Sequence, residues 1–256
     1  MYSKEKSMLK FYAGFCICFL AVGLWASDTS SVHWGYGKND GPKNWGDLDK
    51  QFALCKVGKA QTPIDIIPSQ TKKTKQNIVF AYDEKTQTIT NNGHSVQVDL
   101  KDSASSLQFN NTTYELVQFH FHTPSENHIN GVAYPLEAHF VHKNAKGGLL
   151  VVSVLYKEGA ENKALDKIIK DLPKTANSSK KFQKFDIQSL LPESKGYYEF
   201  VGSLTTPPCS ENVQWVVMKT QPEVSSKQFK SLESVLHHNA RDIQPLNKRV
   251  VKSTEE

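Results

Sequence analysis

Two short segments with a strict two-residue period constrain this chain more than any other feature. Gln118-Phe119-His120-Phe121-His122 alternates polar and aromatic residues, and successive side chains of a β-strand point to opposite faces. As a strand it sends Gln118, His120 and His122 to one side and both phenyl rings into a core. Leu136-Glu137-Ala138-His139-Phe140-Val141 repeats the device, with Glu137, His139 and Val141 on one face and Leu136, Ala138 and Phe140 on the other. Pro124, Asn130, Gly131 and Pro135 between them supply the turn residues that a return to an adjacent strand needs. If the two strands are neighbours, three imidazoles meet at one point. Three neutral imidazoles suit Zn²⁺ and leave its fourth tetrahedral position open, as a catalytic rather than a structural site requires. Gln118 and Glu137 are placed to take the second ring N–H of such ligands and so hold the tautomer. The bare pattern also allows buried or surface histidines that bind nothing.

Strand signals dominate the rest. Ser95 to Leu100 alternates, Leu149 to Tyr156 is an almost unbroken apolar run of strand length, as in a strand buried on both faces, and Val213 to Met218 reads the same way. Helical spacing is confined to Glu161–Leu172 and to Ser225–His238, which opens on a serine cap. The lysine-rich stretches Thr71–Gln76 and Lys180–Lys184 read as polar surface loops. With 38% hydrophobic residues, no linker and no repeat, the expectation is one mainly β (α+β) domain: a large, twisted, mostly antiparallel sheet with a few short peripheral helices. A net charge of +5 from 31 basic and 26 acidic residues is too small and too mixed to nominate a nucleic-acid or membrane partner.

Lys4, Lys6 and Lys10 precede an uncharged run, Phe11 to Leu24, that ends in Trp25-Ala26-Ser27. This reads as a secretory signal peptide over residues 1–26, with the working domain at 27–256. The run is short of the roughly 20 residues that cross a bilayer, so a retained anchor is the weaker alternative. Removing the leader takes away Cys16 and Cys18, leaving Cys55 and Cys209 where thiols oxidise; one disulfide is the expectation, against two separate buried thiols. The charge then falls to about +3. Asn110, Asn111 and Asn177 open N-x-Ser/Thr sequons, which matter only in a glycosylating host.

Beyond the histidines, His33-Trp34-Gly35-Tyr36-Gly37, Gln61-Thr62-Pro63-Ile64-Asp65, Asn91-Asn92-Gly93-His94, Ser125-Glu126, Ser203 through Glu211 and Gln244-Pro245-Leu246-Asn247 recur in order. Over nearly all of residues 32–251 the chain resembles the exported bacterial α-carbonic anhydrases. The resemblance implies that His120, His122 and His139 hold Zn²⁺, that zinc-bound hydroxide attacks CO₂ to give bicarbonate, and that His94 carries the proton out. It implies that Thr205 with Glu126 orients the attack, that Val141, Val151, Leu204 and Trp215 line the CO₂ site, and that Thr206 contacts bicarbonate. Tyr36 and Asn92 resemble the groups that order the connecting waters, and Cys55 with Cys209 resembles the family's exported-type disulfide. Taken bare, Thr205 reads as a turn residue, Glu126 and His94 as surface groups, and Val151 and Trp215 as core. Inhibition by sulfonamides and anions, a periplasmic or extracellular location and a homodimer are further implications. The chain departs from many relatives at Asn127, where they carry histidine; local packing rather than catalysis is what that puts in question. His33, His128, His142, His237 and His238 take no role and read as surface or structural. A secreted zinc esterase and a non-catalytic carbonic-anhydrase-like binding module are the alternatives.

Overall fold

The computed structural model describes residues 32–75, 77–100 and 102–255, so the leader read at residues 1–26 lies outside the described residues. Among the described residues, thirteen strands form one sheet. Ten of them follow one another from edge to edge: Ser178–Lys181, Thr88–Asn91, Val96–Asp99, Thr112–His122, Leu136–Lys143, Leu149–Glu158, Glu211–Met218, Tyr197–Ser203, Lys252–Thr254 and Lys72–Thr74. Neighbours along this path are antiparallel except Leu149–Glu158 against Glu211–Met218 and Lys252–Thr254 against Lys72–Thr74. The expected mainly β architecture is therefore present.

The two histidine-bearing strands are direct neighbours at the centre of that path. His120 lies opposite His139 and His122 opposite Glu137. Phe119, Phe121, Leu136, Ala138 and Phe140 are fully buried on the reverse face, where Leu165 and Ile168 of the helix Lys163–Asp171 and Leu232 of the helix Ser226–Leu236 join the core. Removing such side chains from water is what holds helices to a sheet. Both helices start as their caps dictate: Asn162 accepts from Ala164 N–H, and Ser225 forms a reciprocal capping box with Gln228. A second apolar cluster covers the histidine face, built from Ile64, Ile66, Val151, Leu155, Val213, Trp215 and Val217. The alternation in Thr112–His122 slips once: a register shift between Leu116 and Gln118 leaves Val117 45% exposed and puts Leu116 and Phe119 in the same core.

Both lysine-rich stretches read as loops prove to contain strands. Lys72–Thr74 and Ser178–Lys181 pair at the two ends of the path, with mostly exposed side chains. An edge strand needs only backbone partners, and its lysines oppose edge-to-edge association, so polar composition does not exclude pairing there.

His142 faces away from the side that carries His120 and His139 and is fully buried, its Nε2 2.8 Å from the Tyr82 hydroxyl and its Nδ1 3.3 Å from the Leu150 carbonyl. Burial pulls its pKa down to about 3. The fold therefore favours the neutral ring; that stability is present above the unfolded pKa of about 6.5 and is lost as pH falls from there toward 3, at about 1.4 kcal/mol per pH unit. His142→Gln is expected to flatten the decline of urea midpoint between about pH 6 and pH 4, and an unchanged slope would contradict the assignment.

Cys55 and Cys209 form the expected disulfide, 154 positions apart, beside the buried Trp45. Closing a loop of that length removes about 5 kcal/mol of unfolded-state entropy as an upper figure. Thiol titration of the unfolded, unreduced protein lacking residues 1–26 should find no free cysteine, and reduction should lower the urea midpoint.

Candidate metal centre

Each candidate ligand has one ring nitrogen committed to an acceptor. His120 Nδ1 is 2.8 Å from Gln118 Oε1, His122 Nδ1 is 2.8 Å from the Asn239 carbonyl, and His139 Nε2 is 2.8 Å from Glu137 Oε1. All three partners are acceptors, so each committed nitrogen carries the proton and the other presents a lone pair. The free nitrogens are His120 Nε2, His122 Nε2 and His139 Nδ1, and one ligand atom from each residue lies within 4.8 Å of the others. His122 Nε2 is buried without a hydrogen-bond partner, which is costly in a structure unless a cation takes the lone pair. Burial holds the His120 and His122 pKa values down, and for His120 the neighbouring histidines add to the effect. Neutral imidazoles with acceptor-locked tautomers fit Zn²⁺ with a fourth position left open.

Glu137 is the anion behind this set. It accepts from Glu126 N–H at 2.6 Å, Asn127 N–H at 2.9 Å, Asn127 Nδ2 at 2.8 Å and Ser153 Oγ at 2.5 Å, besides His139. Burial alone would raise its pKa; the His139 ring and these donors outweigh it and bring the group to about 2. Asn127 both donates to Glu137 and accepts from Ile64 N–H at 3.2 Å.

Glu126 is fully buried, and its Oε2 lies 3.5 Å from His122 Nε2 and 3.8 Å from His139 Nδ1. Burial pushes its pKa up to about 7, against the lowering effects of His139, Arg241 N–H and the Thr205 hydroxyl. Thr205 is itself buried, in a tight loop where Leu204 N–H donates to Ser210 O at 3.0 Å and Cys209 N–H to Thr206 O at 2.9 Å. Val151 and Trp215 belong to the apolar cluster on the histidine face, with Val141 and Leu204 packed against it. Trp215 meets the His139 ring edge-on at 5.0 Å. His94 stacks on Trp34 at 3.8 Å, away from direct contact with the ligand rings. Its pKa is lowered by partial burial and then by nearby His33, which pairs with Asp40 at 3.4 Å. The Tyr36 hydroxyl is buried without a partner, and burial raises its pKa well above the usual phenol value. Asn92 Oδ1 accepts from His94 N–H and Ser95 N–H and so shapes the turn that carries His94.

Three contributors escaped the sequence reading. Ser153 lies across from His139 on the next strand; Asn239 and Arg241 follow a helix far along the chain. Arg241 N–H donates to Glu126 Oε1 at 2.9 Å while its guanidinium donates to Gln61 Oε1, Thr62 O and Cys55 O. No local pattern marks any of the three.

The sequence model of the eukaryotic-type carbonic anhydrases matches residues 40–255. The chain belongs to the α-carbonic anhydrase family. A carbonic anhydrase of Pectobacterium carotovorum is 44% identical over 234 residues, 91% of this chain and 95% of that protein. One of Neisseria gonorrhoeae is 43% identical over 237 residues, 92% of each. The solved α-carbonic anhydrase of Thermovibrio ammonificans, in complex with the inhibitor sulfanilamide, superposes with a TM-score of 0.83 at 39% identity, covering 88% of this chain and 99% of that one. This member of the family is thus an enzyme, a carbonic anhydrase, with a three-histidine centre intact. His139→Ala should abolish stoichiometric zinc by metal analysis, whereas Glu137→Gln, which loses the charge but keeps the shape, should weaken retention by about 10- to 100-fold.

Proposed function

We propose that this chain catalyses the reversible hydration of CO₂ to bicarbonate and a proton, with Zn²⁺ held by His120 Nε2, His122 Nε2 and His139 Nδ1. The observation that carries the reading is the set of three acceptor-locked imidazoles on the apolar-lined face of the sheet. Zinc on three histidines is the established case, in carbonic anhydrases themselves, of a metal lowering the pKa of its water to about 7 and so supplying hydroxide at neutral pH. The protein's own residues do the rest.

The Thr205 hydroxyl is close enough to Glu126 to lower its pKa, and Glu126 Oε2 is buried without a hydrogen-bond partner; by accepting a hydrogen bond from the hydroxyl, that oxygen leaves the threonine oxygen free to accept in turn. An acceptor there takes a hydrogen bond from the attacking oxygen, which keeps its proton, and so turns that oxygen's lone pair toward the substrate. Val141, Val151, Leu204 and Trp215 bind CO₂, which has no charge and few hydrogen bonds to offer, by excluding water. Thr206 contacts the bicarbonate product. Each turnover leaves one proton to remove, and His94 carries it: its lowered pKa favours release to solvent, and Tyr36 and Asn92 order the water path to it.

The disulfide supports export to the periplasm or outside the cell, with residues 1–26 as a cleaved leader. No helix among the described residues is long and apolar enough to cross a membrane. Sulfonamides and small anions are expected to inhibit, and a homodimer is the expected assembly.

Stopped-flow CO₂ hydration by the zinc-loaded protein, inhibited by sulfanilamide, is the deciding measurement; absence of hydration would overturn the reading. His94→Ala should lower kcat several-fold in weak buffer and recover in imidazole, while leaving kcat/KM nearly unchanged.

A further inference from the structure

We propose that the side chain of Asn239 is a positioning residue for proton export, tying the turn that carries His94 to the strand that carries two of the metal ligands. The inference rests on the proton-carrying role given to His94 above. It concerns the side-chain amide, whereas the His122 contact uses only the backbone carbonyl.

Asn239 is 1% exposed, three residues beyond the helix Ser226–Leu236. Its Nδ2 donates to the His94 carbonyl at 3.1 Å and to the Phe121 carbonyl at 3.0 Å. Its Oδ1 accepts from Thr123 N–H at 2.9 Å. Both amide protons thus have an acceptor. Phe121 stands between His120 and His122, so the amide spans from the shuttle turn to the backbone between the ligands. The main chain secures it in place, with Asn239 N–H donating to Thr123 O at 3.2 Å and its carbonyl taking the His122 Nδ1–H.

The turn itself needs this support. Gly93 has φ +85°, and the Asn92 side chain closes the turn on His94 N–H and Ser95 N–H without reaching the ligand strand. Ser95 Oγ reaches the same Phe121 carbonyl at 3.2 Å, one residue past His94. Trp34 sets the plane of the imidazole by stacking, but it does not hold the His94 backbone. The Asn239 amide does. Proton transfer along ordered water depends steeply on the placement of the accepting ring, so a shift of about 1 Å at His94 lowers proton transfer without touching the hydration step.

The test uses the zinc-loaded protein and two variants. Asn239→Asp keeps the shape and the Thr123 contact but sets an oxygen against two carbonyls; Asn239→Ala removes the amide. Both should lower kcat in weak buffer about five-fold or more, with kcat/KM for CO₂ falling less than about two-fold, and imidazole should restore kcat. Adding Asn239→Asp to His94→Ala should cost nothing further. In the zinc-free protein, amide hydrogen exchange should quicken in Asn239→Asp at residues 93–95 by clearly more than in the strand 118–122, which its ladder on both sides also holds. Parallel loss of kcat and kcat/KM that imidazole does not repair would reduce Asn239 to a structural residue and overturn the proposal. So would unchanged kcat or unchanged exchange at 93–95 in a protein where His94→Ala is impaired. An unimpaired His94→Ala would instead remove the shuttle reading beneath it.

Discussion

A buried negative charge organises this molecule. Glu137 is fully enclosed at the centre of the sheet, where an unpaired carboxylate would be prohibitively costly. Its five hydrogen-bond donors come from three places: the His139 ring on its own strand, Ser153 on the next strand, and the Glu126–Asn127 segment that returns from the other histidine strand. Satisfying one carboxylate thus orients the His139 ring, pins two strands in register and delivers Glu126 to the three-histidine cluster. Partly satisfied, the same network would be worse than an apolar core.

The other two histidines of the cluster are held by the same logic with cheaper groups. His120 uses a side-chain amide two residues away, and His122 uses a backbone carbonyl 117 positions away. The segment 239–241 then does for one side of the centre what Glu137 does for the other: Asn239 takes His122 and the His94 turn, and Arg241 N–H takes Glu126. The Arg241 guanidinium continues the chain of contacts to Cys55, so the disulfide region and the carboxylate beside the ligands share one buried residue. The Asn127 amide extends the network, donating to Glu137 and accepting from Ile64 N–H.

Where the polypeptide pattern was local, sequence reading located the elements. The strands at 96–99, 149–158 and 211–218 and the helices capped by Asn162 and Ser225 lie within a few residues of their expected places. It failed where the partner was remote. Lys72–Thr74 and Ser178–Lys181 read as loops because nothing apolar marks them, and only neighbouring backbone makes them strands. The slip at Val117 was equally invisible, since an extra residue in one strand shows only against its partner's register.

By itself the sequence determined which residues share a face: the two-residue period puts His120, His122 and His139 on one side and five apolar residues on the other, because strand geometry is local. It also nominated Gln118 and Glu137, each two residues from the ring it holds. Only the tertiary structure decided that the two strands are neighbours in the register that brings three lone pairs together, and that Asn239, Arg241 and Ser153 complete the centre. Those contacts join residues far apart in the chain, and His122 is held by a main-chain carbonyl that every residue possesses, so no side-chain pattern could announce it.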